Sequence, residues 1–154
     1  MGSIYNSRST RKTPLRVLYI DDEEDNLEVF QLHCSERWRV RTLLNAEPLY
    51  NGSLSIDDFD IVFLDLVFLD PKDRDSIKRP DPSGGFAVLK WLSDHRPKMP
   101  VLIVTGIVDP VLKGRLERIG TWIRYCEKPV SFSQVGFMAM VEEFVNAIEH
   151  PLTI

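Results

Sequence analysis

Short apolar runs alternate with longer amphipathic segments along most of this chain. Runs of consecutive apolar residues predict buried strands, whereas apolar residues spaced three or four positions apart predict helices that pack on one side. The stretches that predict strands are 15–20, 40–44, 61–64, 101–104 and 122–126; the third and fourth are uninterrupted apolar runs, whereas 40–44 alternates weakly. The third run lies in Phe59–Leu66 and ends at a carboxylate, Asp65, around which the rest of the chain is interpreted.

Four of the segments between and after these runs carry apolar residues at helical spacing. The fourth helix is expected to begin at Asp109 or Pro110 and to stop at Gly120, and the fifth to run from about 132 to 149. In 45–58, proline and an Asn-Gly pair exclude a long helix, so only one short turn or helix is expected. The predicted core-facing residues of the four longer helices are Leu27, Phe30, Cys34 and Trp38; Phe86, Leu89 and Leu92; Val111, Leu112, Leu116 and Ile119; and Val135, Met138, Val141, Phe144, Val145 and Ile148.

This alternation of strands and helices predicts the class of fold. Strand and helix alternate along the whole of 15–149. In such a chain the strands run parallel, helices cover both faces of the sheet and the crossovers are right-handed. One α/β domain is therefore expected over 14–150, with a flexible leader at 1–13, a short tail at 151–154 and no space for a second domain.

Composition narrows the class of protein. The chain has 154 residues, of which 44% are apolar and 27% are charged, as is typical of a globular domain. Its net charge of −4 argues against direct nucleic-acid binding, which generally needs a basic surface. No apolar run approaches the roughly 20 residues that cross a bilayer, and the polar N-terminus is not a secretory signal. A cytoplasmic protein without membrane contact is therefore expected, and Cys34 and Cys126 are expected to be reduced thiols.

Polar residues follow four of the predicted strands. Asp21 and Asp22 follow the first strand, Asp65 the third, Thr105 the fourth and Lys128 the fifth. The carboxyl ends of parallel strands lie at one edge of the sheet, where α/β proteins bind ligands. Three carboxylates at this edge would repel one another without a cation, and Mg²⁺ prefers such oxygen ligands. A carboxylate beside a bound metal is suited to attack phosphorus, while lysine and threonine are suited to bind phosphate oxygens.

In this order, these residues resemble the receiver domain of two-component response regulators. The resemblance covers about 15–149 and includes the third-strand sequence Asp60–Asp65, the Gly84-Gly85 entry to the third helix, and Lys128-Pro129. It implies a flavodoxin-like, doubly wound, five-stranded parallel sheet of strand order 2-1-3-4-5 with helices on both faces. It also implies a stand-alone phosphoacceptor signalling protein, rather than an enzyme with a separate substrate, that acts on a separate downstream effector protein.

The resemblance implies a role for each carboxylate. Asp65 would accept a phosphoryl group from the phosphohistidine of a histidine kinase or a histidine phosphotransfer protein. The cofactor Mg²⁺ would be held by the side chains of Asp22 and Asp65 and by the backbone carbonyl of Val67. Asp21 would contribute through a metal-bound water.

The resemblance also implies a switch. Thr105 would move toward the new phosphate, and Lys128 of the Lys128-Pro129 pair, joined by a cis bond, would form an ion pair with it. Tyr125 matches an aromatic residue whose ring swings inward on activation, although a half-buried packing role fits the position as well. Val67 and Ile107 are apolar positions beside the site that offer no hydrogen bond to an attacking water, which predicts slow self-dephosphorylation.

Taken one by one, these residues leave alternatives open. Asp21 and Asp22 are also suited to cap the first helix, and Asp65 is also consistent with a solvated carboxylate at a strand end. Asp70 repeats the Phe-Leu-Asp sequence of 63–65 and is an alternative phosphoacceptor, although it precedes a proline and lies beyond the apolar strand.

The segment 70–83 departs from the family pattern. Its prolines and mixed charges predict an inserted loop beside the site, longer than the family's usual connection. Its interpretation is open between a lid, a docking segment and a tolerated loop. Two other functions compete with the receiver: a phosphorylation-independent interaction module of the same fold, and an Mg²⁺-dependent phosphohydrolase. A phosphohydrolase would lack its usual acid/base carboxylate here, because Val67 stands two residues after Asp65.

Overall fold

Strands and helices alternate throughout the computed structural model of the protein, which describes residues 13–66, 83–106, 110–127, 131–134 and 136–150. The strands are β1 (Arg16–Ile20), β2 (Arg39–Leu43), β3 (Ile61–Leu64), β4 (Val101–Thr105) and β5 (Ile123–Glu127). The helices are α1 (Glu24–Cys34), α2 (Glu47–Tyr50), α3 (Ser83–His95), α4 (Pro110–Ile119) and α5 (Phe137–Glu149), and a short 3₁₀ helix (Ile56–Asp58) precedes β3.

The five strands form one parallel sheet in the order β2-β1-β3-β4-β5. In the register of the sheet, Ile20 of β1 lies beside Leu64 of β3, and Leu64 lies beside Ile103 of β4. The predicted flavodoxin-like fold, with this strand order and helices on both faces, is therefore confirmed. The register also decides which strand-end residues become neighbours at the carboxyl edge.

Burial explains why the apolar runs become strands. Every residue of β3 is fully buried, because a central parallel strand is covered on both faces. The edge strand β2 is less buried: Arg39 and Arg41 are exposed, the residues between and after them are partly buried, and Leu43 is buried. The helices therefore cover this edge of the sheet less completely than its centre.

Two apolar layers fill the spaces above and below the sheet. On one face, α2, α3 and α4 pack through residues such as Leu49, Leu92 and Leu116. On the other face, α1 and α5 pack through residues such as Phe30 and Phe144. Successive strand residues point to opposite faces, so each central strand supplies side chains to both layers.

The start of α5 differs from the prediction. The helix begins at Phe137 rather than near 132, because Gly136 has a φ of 94°, in the left-handed region that a right-handed helix cannot include. The preceding residues form a turn, in which the Gln134 N–H donates to the Ser131 carbonyl at 3.1 Å. Phe132, expected in the helix, is buried beside it in the α1–α5 layer.

The predicted apolar side of α4 is wrong at two positions. Val111 is 70% exposed and Ile119 is 47% exposed, whereas Leu116 is fully buried. A helix turns by about 100° per residue, so Val111 lies roughly 140° around the axis from Leu116. The apolar stripe of α4 is therefore narrower than its composition suggests.

Smaller differences concern the ends of elements. Trp38 is buried as predicted but lies beyond the end of α1 at Cys34, and the segment 45–58 contains α2 and the 3₁₀ helix rather than one short element. Cys34 and Cys126 are both free, as predicted. Residues 1–12, 67–82, 135 and 151–154 lie outside the described residues. They include nearly all of the predicted leader (1–13), nearly all of the predicted insertion (70–83), Val135 of the predicted fifth helix, and the tail. Within the described part of the chain, none of the helices combines the length and apolar character needed to span a bilayer.

Candidate functional site

The carboxylates that follow β1 and β3 meet at the carboxyl edge of the sheet. The Asp65 N–H donates to the Ile20 carbonyl at 3.0 Å, which continues the β1–β3 ladder by one step. This bond sets Asp65 beside Asp21, the residue that follows Ile20. The position of the carboxylates thus follows directly from the strand register.

Asp21, Asp22 and Asp65 form what we call the acidic cluster. Each offers one carboxylate oxygen, and these oxygens lie within 4.8 Å of one another. Asp21 is fully buried and Asp65 is 3% exposed, while Asp22 is partly exposed. Two negative charges about 4 Å apart repel by roughly 1 to 4 kcal/mol at such sites. The all-oxygen donor set and its negative charge therefore fit a hard divalent cation such as Mg²⁺.

Three donors in the described part of the chain hold the Asp21 carboxylate. Its Oδ1 accepts the Glu23 N–H at 2.9 Å, and its Oδ2 accepts the Tyr19 hydroxyl at 3.0 Å and the Asn26 side-chain amide at 3.2 Å. Glu23 is the N-cap residue of α1 and makes no side-chain cap hydrogen bond. The alternative in which Asp21 or Asp22 is the N-cap of α1 is therefore wrong.

Tyr19 is a site residue that sequence reasoning missed. Its side chain is 1% exposed, and burial together with the negative charge of Asp21 raises the pKa of its hydroxyl. The hydroxyl is therefore a neutral donor to Asp21 at physiological pH. The available signal was its spacing, since residues two apart on a strand point to the same side.

Thr105 and Tyr125 lie on the strands that follow in the sheet. Thr105 is the last residue of β4 and is fully buried, at the same edge as the acidic cluster. Tyr125 lies beside Ile103 in the β4–β5 register and is partly exposed. The Lys113 ammonium lies 5.9 Å from the centre of its ring.

Several predicted site residues lie outside the described part of the chain. Val67 follows the last described residue of the β3 connection, Leu66, and Lys128 follows the last residue of β5, Glu127. Asp70, the alternative acceptor, and Ile107 also lie in undescribed segments. Their assigned roles remain predictions.

The start of α3 packs directly against Leu66, the residue that follows Asp65. The Gly85 N–H donates to the Leu66 carbonyl at 3.2 Å. A Cβ atom at Gly85 would lie 2.5 Å from the Leu66 Cα and 2.8 Å from the Leu66 carbonyl oxygen. Backbone atoms cannot lie this close to a Cβ atom, so only glycine allows α3 to begin this near to Leu66, beside the acidic cluster.

Comparison with known proteins finds similarity at the level of structure. No protein-family model and no curated protein sequence matches the chain. Three similar solved structures are the BeF3-activated receiver domain of DrrB, a Thermotoga maritima protein, and response regulator receiver domain proteins from Clostridium thermocellum and Methanospirillum hungatei.

The similarity covers nearly whole chains. The DrrB receiver domain has a TM-score of 0.66 at 20% identity, over 87% of this chain and 99% of its own. The Clostridium protein has a TM-score of 0.66 at 21% identity, over 90% and 99%. The Methanospirillum protein has a TM-score of 0.63 at 23% identity, over 89% and 98%. The described chain therefore has the fold of the response regulator receiver domains, as the sequence resemblance implied.

Proposed function

We propose that this chain is a phosphoacceptor switch of two-component signalling that acts as a stand-alone receiver. In this proposal Asp65 accepts a phosphoryl group from a phosphohistidine on a histidine kinase or a histidine phosphotransfer protein. The modified protein then acts on a separate effector protein. The observation that carries the proposal is the convergence of three carboxylates, two of them buried, at the carboxyl edge of a receiver-like sheet.

The buried geometry of Asp65 supports its role as the nucleophile. Its backbone N–H is fixed to Ile20, so the side chain starts from a defined place at the edge. A carboxylate oxygen of Asp65 would attack phosphorus, the bond from phosphorus to the imidazole nitrogen would break, and the electron pair would leave with the imidazole. Holding the acceptor in place provides much of what this reaction requires.

The acidic cluster would hold Mg²⁺ through Asp22, Asp65 and the Val67 carbonyl, with Asp21 acting through a water. When bound, Mg²⁺ supplies positive charge that offsets the charge of the carboxylates and of the phosphate oxygens. The three donors on Asp21 keep that carboxylate oriented, and the partial exposure of Asp22 leaves the cluster accessible. These features support a site that keeps its shape as its charge changes.

Thr105 and Lys128 would receive the new phosphate. Thr105 lies at the edge of the neighbouring strand and carries a hydroxyl that can donate to a phosphate oxygen. Lys128 would form an ion pair with the phosphate, and the ring of Tyr125 would move inward in response. The apolar residues Val67 and Ile107 beside the site would make hydrolysis of the aspartyl-phosphate slow.

Intact-protein mass spectrometry after incubation with acetyl phosphate tests this proposal. We expect a gain of one phosphoryl group that requires Mg²⁺ and is lost in Asp65→Asn. Asp57→Asn is the matched control, because Asp57 is an exposed carboxylate, 78% accessible at its side chain, in the 3₁₀ helix that precedes β3, at the opposite end of that strand from the cluster. A second variant, Asp70→Asn, should retain the gain.

The outcomes separate the competing functions. If Asp70→Asn rather than Asp65→Asn abolishes the gain, the acceptor is assigned to the wrong residue. A chain that gains no phosphoryl group with Mg²⁺ present would be a phosphorylation-independent interaction module. Continuous release of inorganic phosphate without a stable adduct would indicate a phosphohydrolase.

A further inference from the structure

A cavity of about 280 Å³ lies between α3, α4 and the first residues of β4 and β5, and we call it the α3–α4 cavity. It opens at the amino-terminal ends of these strands, opposite the edge that carries Asp65. Its volume is just below the usual range of about 300–1,000 Å³ for pockets that hold small molecules, which limits it to a ligand of one or two rings. Its floor consists of side chains that are more than nine-tenths buried: Leu89, Leu92, Met99, Val101 and Ile123.

The rim of the α3–α4 cavity is cationic. Lys90, Arg96 and Lys98 all line it. Lys90 and Lys98 are exposed, and neither forms an ion pair with a residue in the described ranges. Arg96 contacts Asp57 at 3.4 Å, with 38% and 78% of the two side chains exposed, so this pair is weakened by solvent. Positive charge above an apolar floor complements a ligand with an apolar body and an anionic group.

The backbone at the rim supplies an independent observation. Lys98 has a φ of 63°, in the left-handed region that lysine rarely adopts. It lies between Pro97 and Met99, and the Met99 N–H donates to the Arg96 carbonyl at 3.1 Å, which closes the turn. Uncommon backbone of this kind is retained where the surroundings fix it, and it is found preferentially at ligand sites.

We propose that the α3–α4 cavity binds a small aromatic monoanion. The ring of the ligand lies on the apolar floor, and its carboxylate, or a similar single anionic group, faces the cationic rim. The exposed edge of Ile119 and the partly exposed Trp122, both lining the mouth, contact the ring from the side of α4 and β5. The proposal does not depend on phosphorylation of Asp65, because cavity and acidic cluster lie at opposite ends of the strands.

Titration of the full chain with 1-naphthoate and with its neutral analogue 1-naphthamide tests the proposal. Amide chemical shifts locate the binding site, and quenching of tryptophan fluorescence gives the affinity. We expect naphthoate to bind with a dissociation constant of about 1 mM or tighter, with shifts confined to residues of the α3–α4 cavity. Naphthamide should bind about tenfold more weakly, since it lacks the charge-assisted hydrogen bonds.

Variants separate the contribution of the rim from that of the floor. Replacing both exposed lysines, Lys90→Gln with Lys98→Gln, should weaken naphthoate about tenfold and leave naphthamide unchanged. Arg41→Gln is the control, because it removes a positive charge from the exposed edge strand instead. Ser93→Phe, at an exposed rim position, should obstruct the cavity and weaken both probes.

Each contrary result overturns the proposal. Equal affinity for the two probes would show that the rim does not recognise an anion. Shifts outside the cavity, or no binding well above 1 mM, would show that this is not a ligand site. A change in sedimentation with protein concentration that the probes reverse would indicate that a second copy of the chain occupies the cavity instead.

Discussion

Replacing Tyr19 by phenylalanine removes one hydroxyl group from the buried side of the acidic cluster and leaves the ring in place. The ring packs against Phe30, Phe63 and Phe132, at centroid distances of 4.9, 5.8 and 6.0 Å. Phenylalanine keeps the ring that makes these contacts, so the variant creates no large cavity. What is lost is the hydrogen bond to Asp21.

The size of the effect follows from burial and charge. The donor is 1% exposed and its acceptor is a fully buried carboxylate, so bulk water does not replace the lost hydroxyl as a donor to Asp21. A hydrogen bond to a charged group contributes about 1.5–3 kcal/mol to stability. With an m-value of about 2 kcal/mol/M, a loss of 2 kcal/mol lowers the midpoint of urea unfolding by about 1 M.

Urea unfolding followed by circular dichroism measures this loss, with Tyr50→Phe as the matched control. The Tyr50 side chain is 43% exposed, so removal of its hydroxyl should cost less than about 0.5 kcal/mol. If Tyr19→Phe costs no more than Tyr50→Phe, the hydroxyl does not support Asp21 and the argument fails.

Mg²⁺ supplies a second, independent measurement. A cation in the acidic cluster offsets part of the charge on Asp21, so the hydrogen bond should then contribute about 1 kcal/mol, as a neutral one does. The cost of Tyr19→Phe should therefore shrink in saturating Mg²⁺, which by linkage means that the variant binds Mg²⁺ a fewfold more tightly. Weaker binding by the variant would show instead that orientation of Asp21 outweighs its charge.

Three further predictions concern burial elsewhere in the domain. Glu142→Leu removes the buried acceptor of three N–H groups and should cost about 3–5 kcal/mol in urea unfolding, whereas Glu143→Leu, at an exposed neighbouring position, should cost little. Gly85→Ala should cost about 1–3 kcal/mol and shift the amide resonance of Leu66, since the new Cβ meets the backbone there. Burial raises the pKa of Cys34 from 9.0 to about 12. Between these pH values the folded chain keeps a proton that the unfolded chain loses, so stability should fall from pH 9 to pH 12. Cys34→Ala should flatten that slope.

The three N–H groups that meet Glu142 join two distant parts of the chain. Its Oε2 accepts the Arg37 Nε at 3.0 Å and the Trp38 Nε1 at 2.8 Å, and its Oε1 accepts the Arg37 Nη2 at 2.8 Å. Glu142 is 3% exposed and belongs to α5, while its donors lie between α1 and β2. This network fixes α5 to the rest of its layer by directional bonds as well as by apolar contact.

Much of the fold and of the acidic cluster could be predicted because both follow from the order of apolar and polar residues along the chain. Runs such as 61–64 are long enough to identify strands, and their alternation with helices determines a parallel sheet. A parallel sheet places all carboxyl ends at one edge, which brings Asp21 and Asp65 together. The proximity of these two carboxylates therefore does not depend on contacts between distant side chains.

Other features depend on contacts that the local pattern does not contain. Tyr19 occupies a strand position where any core residue would fit. The hydrogen bond that its hydroxyl donates becomes evident only once the position of the Asp21 carboxylate is known. Glu142 interrupts an apolar stripe, and its donors are more than a hundred positions away. The start of α5 depends on the backbone angle of Gly136, and the exposure of Val111 depends on how narrow a stripe α4 presents to the sheet.

The pattern of β2 affects how the sheet meets other proteins. An edge strand has unpaired backbone groups along its outer side, and it can add the strand of another molecule. Arg39 and Arg41 are exposed along this edge. A second copy that paired with β2 through its own β2 would bring these like-charged guanidinium groups close together. Self-association by growth of the sheet at this edge is therefore disfavoured, which directs any pairing between copies toward the helical surfaces or the β5 edge.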